Sequence, residues 1–116
     1  MGGPPMTFAQ IRRVEDGDVE YDAIVIWCPG CASRENWGGL HWLPVSDTQG
    51  KRPVWQWNGD LVNVGLEPSI LTRGHPDFVC HSFLRNGQWQ FLSDSTHPLA
   101  GQTVSIEHLP DWALSE

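Results

Sequence analysis

The chain has 116 residues, 40% of them apolar and 18% charged, with seven tryptophans. That is a globular composition at a length for one domain and one modest core, which excludes a disordered chain. Fourteen acidic against seven basic residues give a net charge of −7. The basic residues are scattered, so nucleic-acid binding through the phosphate backbone is disfavoured.

Strand signals recur at short intervals, and no stretch carries a convincing helical period. Residues 1–7, rich in Gly and Pro, read as a disordered tail ahead of a single domain over 8–116. Phe8 to Val14 reads as a first strand, and Glu15 to Asp18 as a turn. Tyr21 to Cys28, rich in Ile and Val, is a second strand that delivers Cys28 at its end. Gly39 to Val45 carries His41, and Val54 to Trp57 ends at an Asn58-Gly59 turn. Ser69 to Thr72 is a short strand before a turn at Arg73 to Pro76. Phe78 to Leu84 and Gln88 to Leu92 flank Asn86-Gly87, the strongest short hairpin signal. Thr103 to His108 is a last strand, and Pro110 to Leu114 a helical turn. The predicted fold is all-β, a small sandwich or open barrel with long loops. The longest apolar run, Ala23 to Trp27, is too short to span a bilayer. The N-terminus lacks a basic region followed by an apolar one, so a cytoplasmic protein without a membrane is expected.

Three cysteines cannot all pair, and Cys28-Pro29-Gly30-Cys31 has the spacing of a metal knuckle in a reducing compartment. Two thiolates two residues apart can grip one soft ion from the same side, and zinc asks for four N or S ligands in a tetrahedron. His41 can fold back beside the knuckle from the next strand. Cys80, from a central strand, completes a closed Cys3His set and ties the two halves of the chain together. His81 is the alternative fourth ligand, because neighbours on a strand face opposite ways and only one of the two can reach the ion. A redox dithiol is the competing reading of Cys28 and Cys31, but no helix is predicted behind the pair.

A second polar cluster follows the hairpin. Asp94 and His97 lie close in a Ser-Asp-Ser-Thr-His loop, and His81 can face them; such a trio suits an open metal site or proton transfer. The plainer account is a turn whose Ser, Asp and Thr cap backbone groups. Trp55, Trp57 and Asn58 form a second candidate surface. The two indoles share a strand face, which fits core packing or a stacking platform for a base. Trp27, Trp42 and Trp89 read as core residues, and Trp37 and Trp112 as surface anchors. His75 and His108 read as exposed and incidental.

Several of these runs occur together: Cys28-Pro29-Gly30-Cys31, His41 to Pro44, Trp55 to Gly59, Pro68 to Leu71, Cys80 to Phe83, and Leu92 to Val104. The set resembles a family of small uncharacterised proteins of tailed phages and prophages, often labelled ammonia monooxygenase. The resemblance spans Ile24 to Val104. It implies a phage-encoded zinc protein in the host cytoplasm, with the family's Cys and His positions at Cys28, Cys31, His41, Cys80, His81 and His97. Relatives often carry Cys where this chain has Ser95, and the stretch Asn63 to Glu67 also departs from their pattern. The monooxygenase label fits poorly, since oxygen chemistry favours open His and carboxylate sites over sulfur-rich closed ones. The expectation is therefore a non-enzymatic zinc-stabilised module that binds a protein partner, of the host or the phage, and counters host defence. Two rivals stand beside it: a zinc-dependent hydrolase using His81, Asp94 and His97, and a nucleotide or single-strand binder using Trp55 and Trp57.

Overall fold

Alternation of apolar and polar residues produces eight strands in the computed structural model, which describes residues 7–33, 38–74 and 77–114. In chain order they are β1 (Ala9–Asp16), β2 (Val19–Trp27), β3 (Leu40–Pro44), β4 (Gln56–Trp57), β5 (Leu66–Gly74), β6 (Phe78–Arg85), β7 (Gln88–Phe91) and β8 (Thr103–Ser105). They form two antiparallel sheets, β1-β2-β3 and β4-β5-β6-β7-β8. No described helix is long and apolar enough to cross a membrane. The expectations for Trp37, His75, Pro76 and the first six residues fall outside the described part of the chain.

The hairpin between β6 and β7 turns on Asn86 and Gly87, with φ of 50° and 71°. A two-residue turn of this type needs both positive values, which is why Asn-Gly is favoured there. The Asn58-Gly59 expectation fails: Asn58 N–H donates to the carbonyl of Gly65, so the chain leaves β4 through a wide loop rather than a tight hairpin. The strand expected at Ser69 to Thr72 extends in both directions, from Leu66 to Gly74.

The sheets pack face to face. Ile24 and Ile26 of β2 meet Leu66, Leu84 and Trp89 of the larger sheet, all fully buried. Each aliphatic side chain in this layer contributes about 1.5–3 kcal/mol relative to an exposed one. Val25, on the other face of β2, is covered by Leu109 and by Ala113 of the C-terminal 3-10 turn (Asp111–Ala113). Trp42 departs from its expected core position. It sits on the outer face of β3, 46% exposed, with the Arg12 guanidinium over its ring.

Register fixes which residues of the larger sheet face the core. Leu66 pairs with Leu84, Ile70 with Ser82, and Leu84 with Trp89, all buried. The intervening residues face away from the smaller sheet. On β5 and β6 these include Leu71, directly opposite His81. Between Leu66 and Ile70 four steps on β5 match only two on β6, so the strand bulges there. The bulge contains the Glu67–Pro68 peptide, which is cis, and ends at Ser69. Such bulges re-aim side chains.

Candidate active site and metal centre

The buried face of β6 contributes Cys80. The knuckle approaches it from the end of β2 through a single helical turn, α1 (Pro29–Ala32). Cys28 caps this turn, its sulfur accepting from Cys31 N–H at 3.4 Å, and Pro29 stands at the first helical position, where its missing N–H costs nothing. No helix is predicted there from sequence, because one turn is too short for a period. Gly30 is required by close packing. A Cβ at that position would lie 2.6 Å from Nε2 of His97 and 2.8 Å from the Phe91 ring.

The Sγ atoms of Cys28, Cys31 and Cys80 all lie within 4.8 Å of one another and are buried. Cys28 and Cys80 sulfurs are 3.8 Å apart. Two thiolates on a tetrahedral zinc, each about 2.3 Å from the metal, are about 3.8 Å apart. His41 Nε2 is 3.2 Å from Cys31 Sγ, so an imidazole lies against the cluster on the side of β3, although among the described residues the mutually close group itself comprises the three cysteines alone. Three crowded thiols cannot all ionise unaided. Hydrogen bonds from Cys28 and Cys80, with His41 nearby, hold Cys31 well below the ordinary thiol range. Cys28 is pushed up to about 12, chiefly by its hydrogen bond to Cys31, and Cys80 is pushed up by Cys28 and Cys31. A divalent cation would relieve that conflict by offsetting two of the three negative charges. Three buried cysteines can thus hold a metal ion.

His81 points to the opposite face of β6. Its Nε2 is 3.1 Å from Ser69 Oγ, and its Nδ1 is 3.0 Å from Asp94 Oδ2 and 3.3 Å from Oδ1. Hydroxyl, imidazole and carboxylate therefore lie in one hydrogen-bonded line. The bulge presents Ser69 to the ring, and the loop after β7 presents Asp94. That loop is clipped along the edge of β6 where β7 ends. Ser95 Oγ accepts from His81 N–H at 3.0 Å and donates to the His81 carbonyl at 3.1 Å. Thr96 N–H donates to the Val79 carbonyl at 2.9 Å, and Val79 N–H donates to Thr96 Oγ1 at 2.9 Å. The Ser-Asp-Ser-Thr run thus builds a turn, as its composition suggests, and the turn positions a carboxylate as well. The side chains of His81 and Asp94 are 24% and 58% exposed, so the line is reached by solvent.

His97 does not join this group. It is buried, its ring edge-on to Phe91 at 4.7 Å. Its Nδ1 accepts from Leu99 N–H at 3.2 Å, and its buried Nε2 has no hydrogen-bond partner. Burial lowers its pKa, so it stays neutral beside the knuckle. Trp55 and Trp57 are half-buried and packed against the core. The Trp55 indole donates to the Ser69 carbonyl at 3.3 Å and the Trp57 indole to the Asp60 carbonyl at 3.0 Å. Asn58 holds its own loop, donating to the Asn63 carbonyl at 2.9 Å.

The line Ser69–His81–Asp94 decides which comparison matters. A family model described as "Bacterial ubiquitination-like system serine protease (BubE)" matches residues 5–92. The chain belongs to the BubE family. The match includes Ser69 and His81 and stops two residues short of Asp94. No curated protein and no solved structure matches.

Membership of the BubE family overturns the expectation of a non-enzymatic protein-binding module, since the family is described as a protease. Neither rival fares better. The hydrolase built on His81, Asp94 and His97 loses His97, which lies inside the core. The nucleotide or single-strand binder loses its platform, because the Trp55 and Trp57 indoles are committed to the fold. The residue that sequence reasoning missed is Ser69. No local motif marks it: its place beside His81 follows from the pairing of β5 with β6, which sets Leu71 opposite His81 and Ser69 two residues further along the same face.

Proposed function

We propose that this chain is a serine protease of a bacterial ubiquitination-like system, with Ser69 as nucleophile, His81 as general base and Asp94 as its orienting carboxylate. The single observation behind this reading is the unbroken hydrogen-bonded line from Ser69 Oγ through His81 to Asp94. In that geometry Ser69 Oγ attacks the scissile carbonyl while His81 Nε2 takes its proton. The bond from carbonyl carbon to nitrogen breaks, and the imidazolium returns the proton to the departing amine, leaving an ester on Ser69. Water then attacks the ester, with His81 again taking a proton and passing it to Ser69 Oγ as the acid leaves. Asp94 holds the ring tautomer with Nε2 free to accept and stabilises the imidazolium.

The metal centre has a different task in this proposal. Cys28, Cys31, Cys80 and His41 would hold zinc as a closed structural site, stiffening β6 one residue from His81. The ion supplies cohesion, and its ligands face away from the scissile bond.

The test is incubation of the purified chain with the proteins encoded by the same ubiquitination-like system, followed by mass spectrometry of the products. The wild type is expected to shorten one of them at a single peptide bond, and a folded Ser69→Ala variant to leave all of them intact. Equal cleavage by both proteins contradicts the assignment.

A further inference from the structure

A cleft of about 330 Å³ opens beside the bulge, near the lower end of the range for ligand sites, roughly 300–1,000 Å³. Glu67 lines it, two residues before the nucleophile, and no more than about 7 Å of chain separates the two positions. The cleft and Ser69 therefore occupy the two ends of one bulge. Leu66 and Leu84 lie beneath the cleft floor where their strands pair and are fully buried, so they support the floor without meeting a ligand. Trp57 adds an aromatic wall.

The charged groups at the cleft are already engaged with each other. Arg85 Nε lies 3.0 Å from Glu67 Oε1, and the guanidinium also stacks over the Phe83 ring at 4.0 Å. A charged ligand side chain would have to compete with that pair. The carboxamides of Gln56 and Asn86 also line the cleft and are exposed. A carboxamide offers one acceptor and two donors, which matches the donors and acceptors along a peptide backbone.

We propose that this cleft is the protease's recognition subsite and that it takes a short, uncharged, extended peptide segment of the substrate, about two residues from the scissile bond. The Trp57 wall, amide rims and a self-neutralised ion pair fit that occupant. The short chain between Glu67 and Ser69 bounds how far from the scissile bond that segment sits. The inference rests on the serine-protease reading of Ser69, His81 and Asp94.

The experiment uses the intact chain, a positional library of internally quenched peptides and, separately, diisopropyl fluorophosphate. The fluorophosphate is too small to reach from Ser69 into the cleft, so its reaction reports the triad alone. The wild type is expected to cleave peptides carrying uncharged residues about two positions from the cut and to reject Asp, Glu, Lys and Arg there. Gln56→Trp, at an exposed position, is expected to crowd the cleft and lower kcat/KM by about tenfold or more, while Gln56→Trp protein still takes the fluorophosphate on Ser69. Unchanged cleavage by Gln56→Trp overturns the subsite and leaves the triad standing. So does a library preference for charged residues at that position, or a Ser69-labelled wild type that cleaves no peptide. Failure of the wild type to label at Ser69 removes the triad reading itself, and the subsite with it.

Discussion

The two faces of β6 hold opposite kinds of chemistry one residue apart. On the inner face, Cys80 of β6 sits in a buried sulfur cluster with Cys28, which caps α1, and Cys31 within α1, with His41 of β3 alongside. On the outer face, His81 sits in an open line with Ser69 and Asp94. The inner group joins the two sheets and excludes water. The outer group belongs to one sheet, and its carboxylate is more than half exposed. A strand alternates its side chains, so a single segment can anchor the fold through one residue and do chemistry through the next. Removing an inner group should abolish both folding and activity, whereas removing an outer group should abolish activity alone.

The largest effect is expected on the inner face. Cys31→Ser should remove the cooperative thermal transition and with it all activity, because binding of a structural metal is coupled to folding. A Cys31→Ser chain that melts like the wild type would break the comparison. Stripping metal with a chelator of high affinity should have the same consequence, read as loss of near-ultraviolet circular dichroism, with recovery on adding zinc. Full activity in a verified metal-free protein would count against the structural role.

On the outer face Asp94→Asn should lower kcat by on the order of 10⁴-fold, the cost of losing the tautomer control that the carboxylate provides. The thermal midpoint should hardly move, since Asp94 is exposed. A smaller loss is expected for Ser95→Ala, which frees the loop from the His81 backbone and lets Asp94 wander. About tenfold in kcat with little change in KM would mark Ser95 as a positioning residue. A purely structural Ser95 would instead lower the midpoint and leave kcat of the folded fraction unchanged.

Much of the inner site was legible in the sequence because its signal is local. Cys28 and Cys31 announce themselves by spacing, Cys80 is the remaining thiol and joins them, and His41, expected beside the knuckle, lies next to Cys31. The all-β class was equally plain from the period-two runs and the Asn86-Gly87 turn. The outer site was only half legible. His81 and Asp94 stood out as titratable types, but His97 drew attention away although it is a buried neighbour of Gly30. Ser69 carries no distinguishing chemistry of its own. Its role comes from the bulge that shifts β5 against β6 by two residues, and register irregularities of that kind leave little mark on a single sequence. Trp42 shows the converse error: a strand tryptophan was expected inside, but its strand lies where the outer face is only partly covered.

The smallest expected effect belongs to His97, which touches both accounts. Burial lowers its pKa below the ordinary 6.5, so between those values the unfolded chain binds more protons than the folded one. Its contribution is complete above about pH 6.5 and is lost as pH falls below it. With zinc in excess, His97→Phe should show a shallower drop in thermal midpoint between pH 7 and pH 5 than the wild type. Parallel curves would mean that His97 does not titrate on unfolding.

The central claim, that Ser69 is activated by His81 on the face opposite the cysteine cluster, is tested most directly by mass spectrometry of the intact protein after reaction with diisopropyl fluorophosphate. The account predicts one phosphoryl adduct, mapped to Ser69 and absent from folded His81→Ala protein, with zinc still bound in a native-state spectrum. No adduct, or one that persists on another serine, would contradict it.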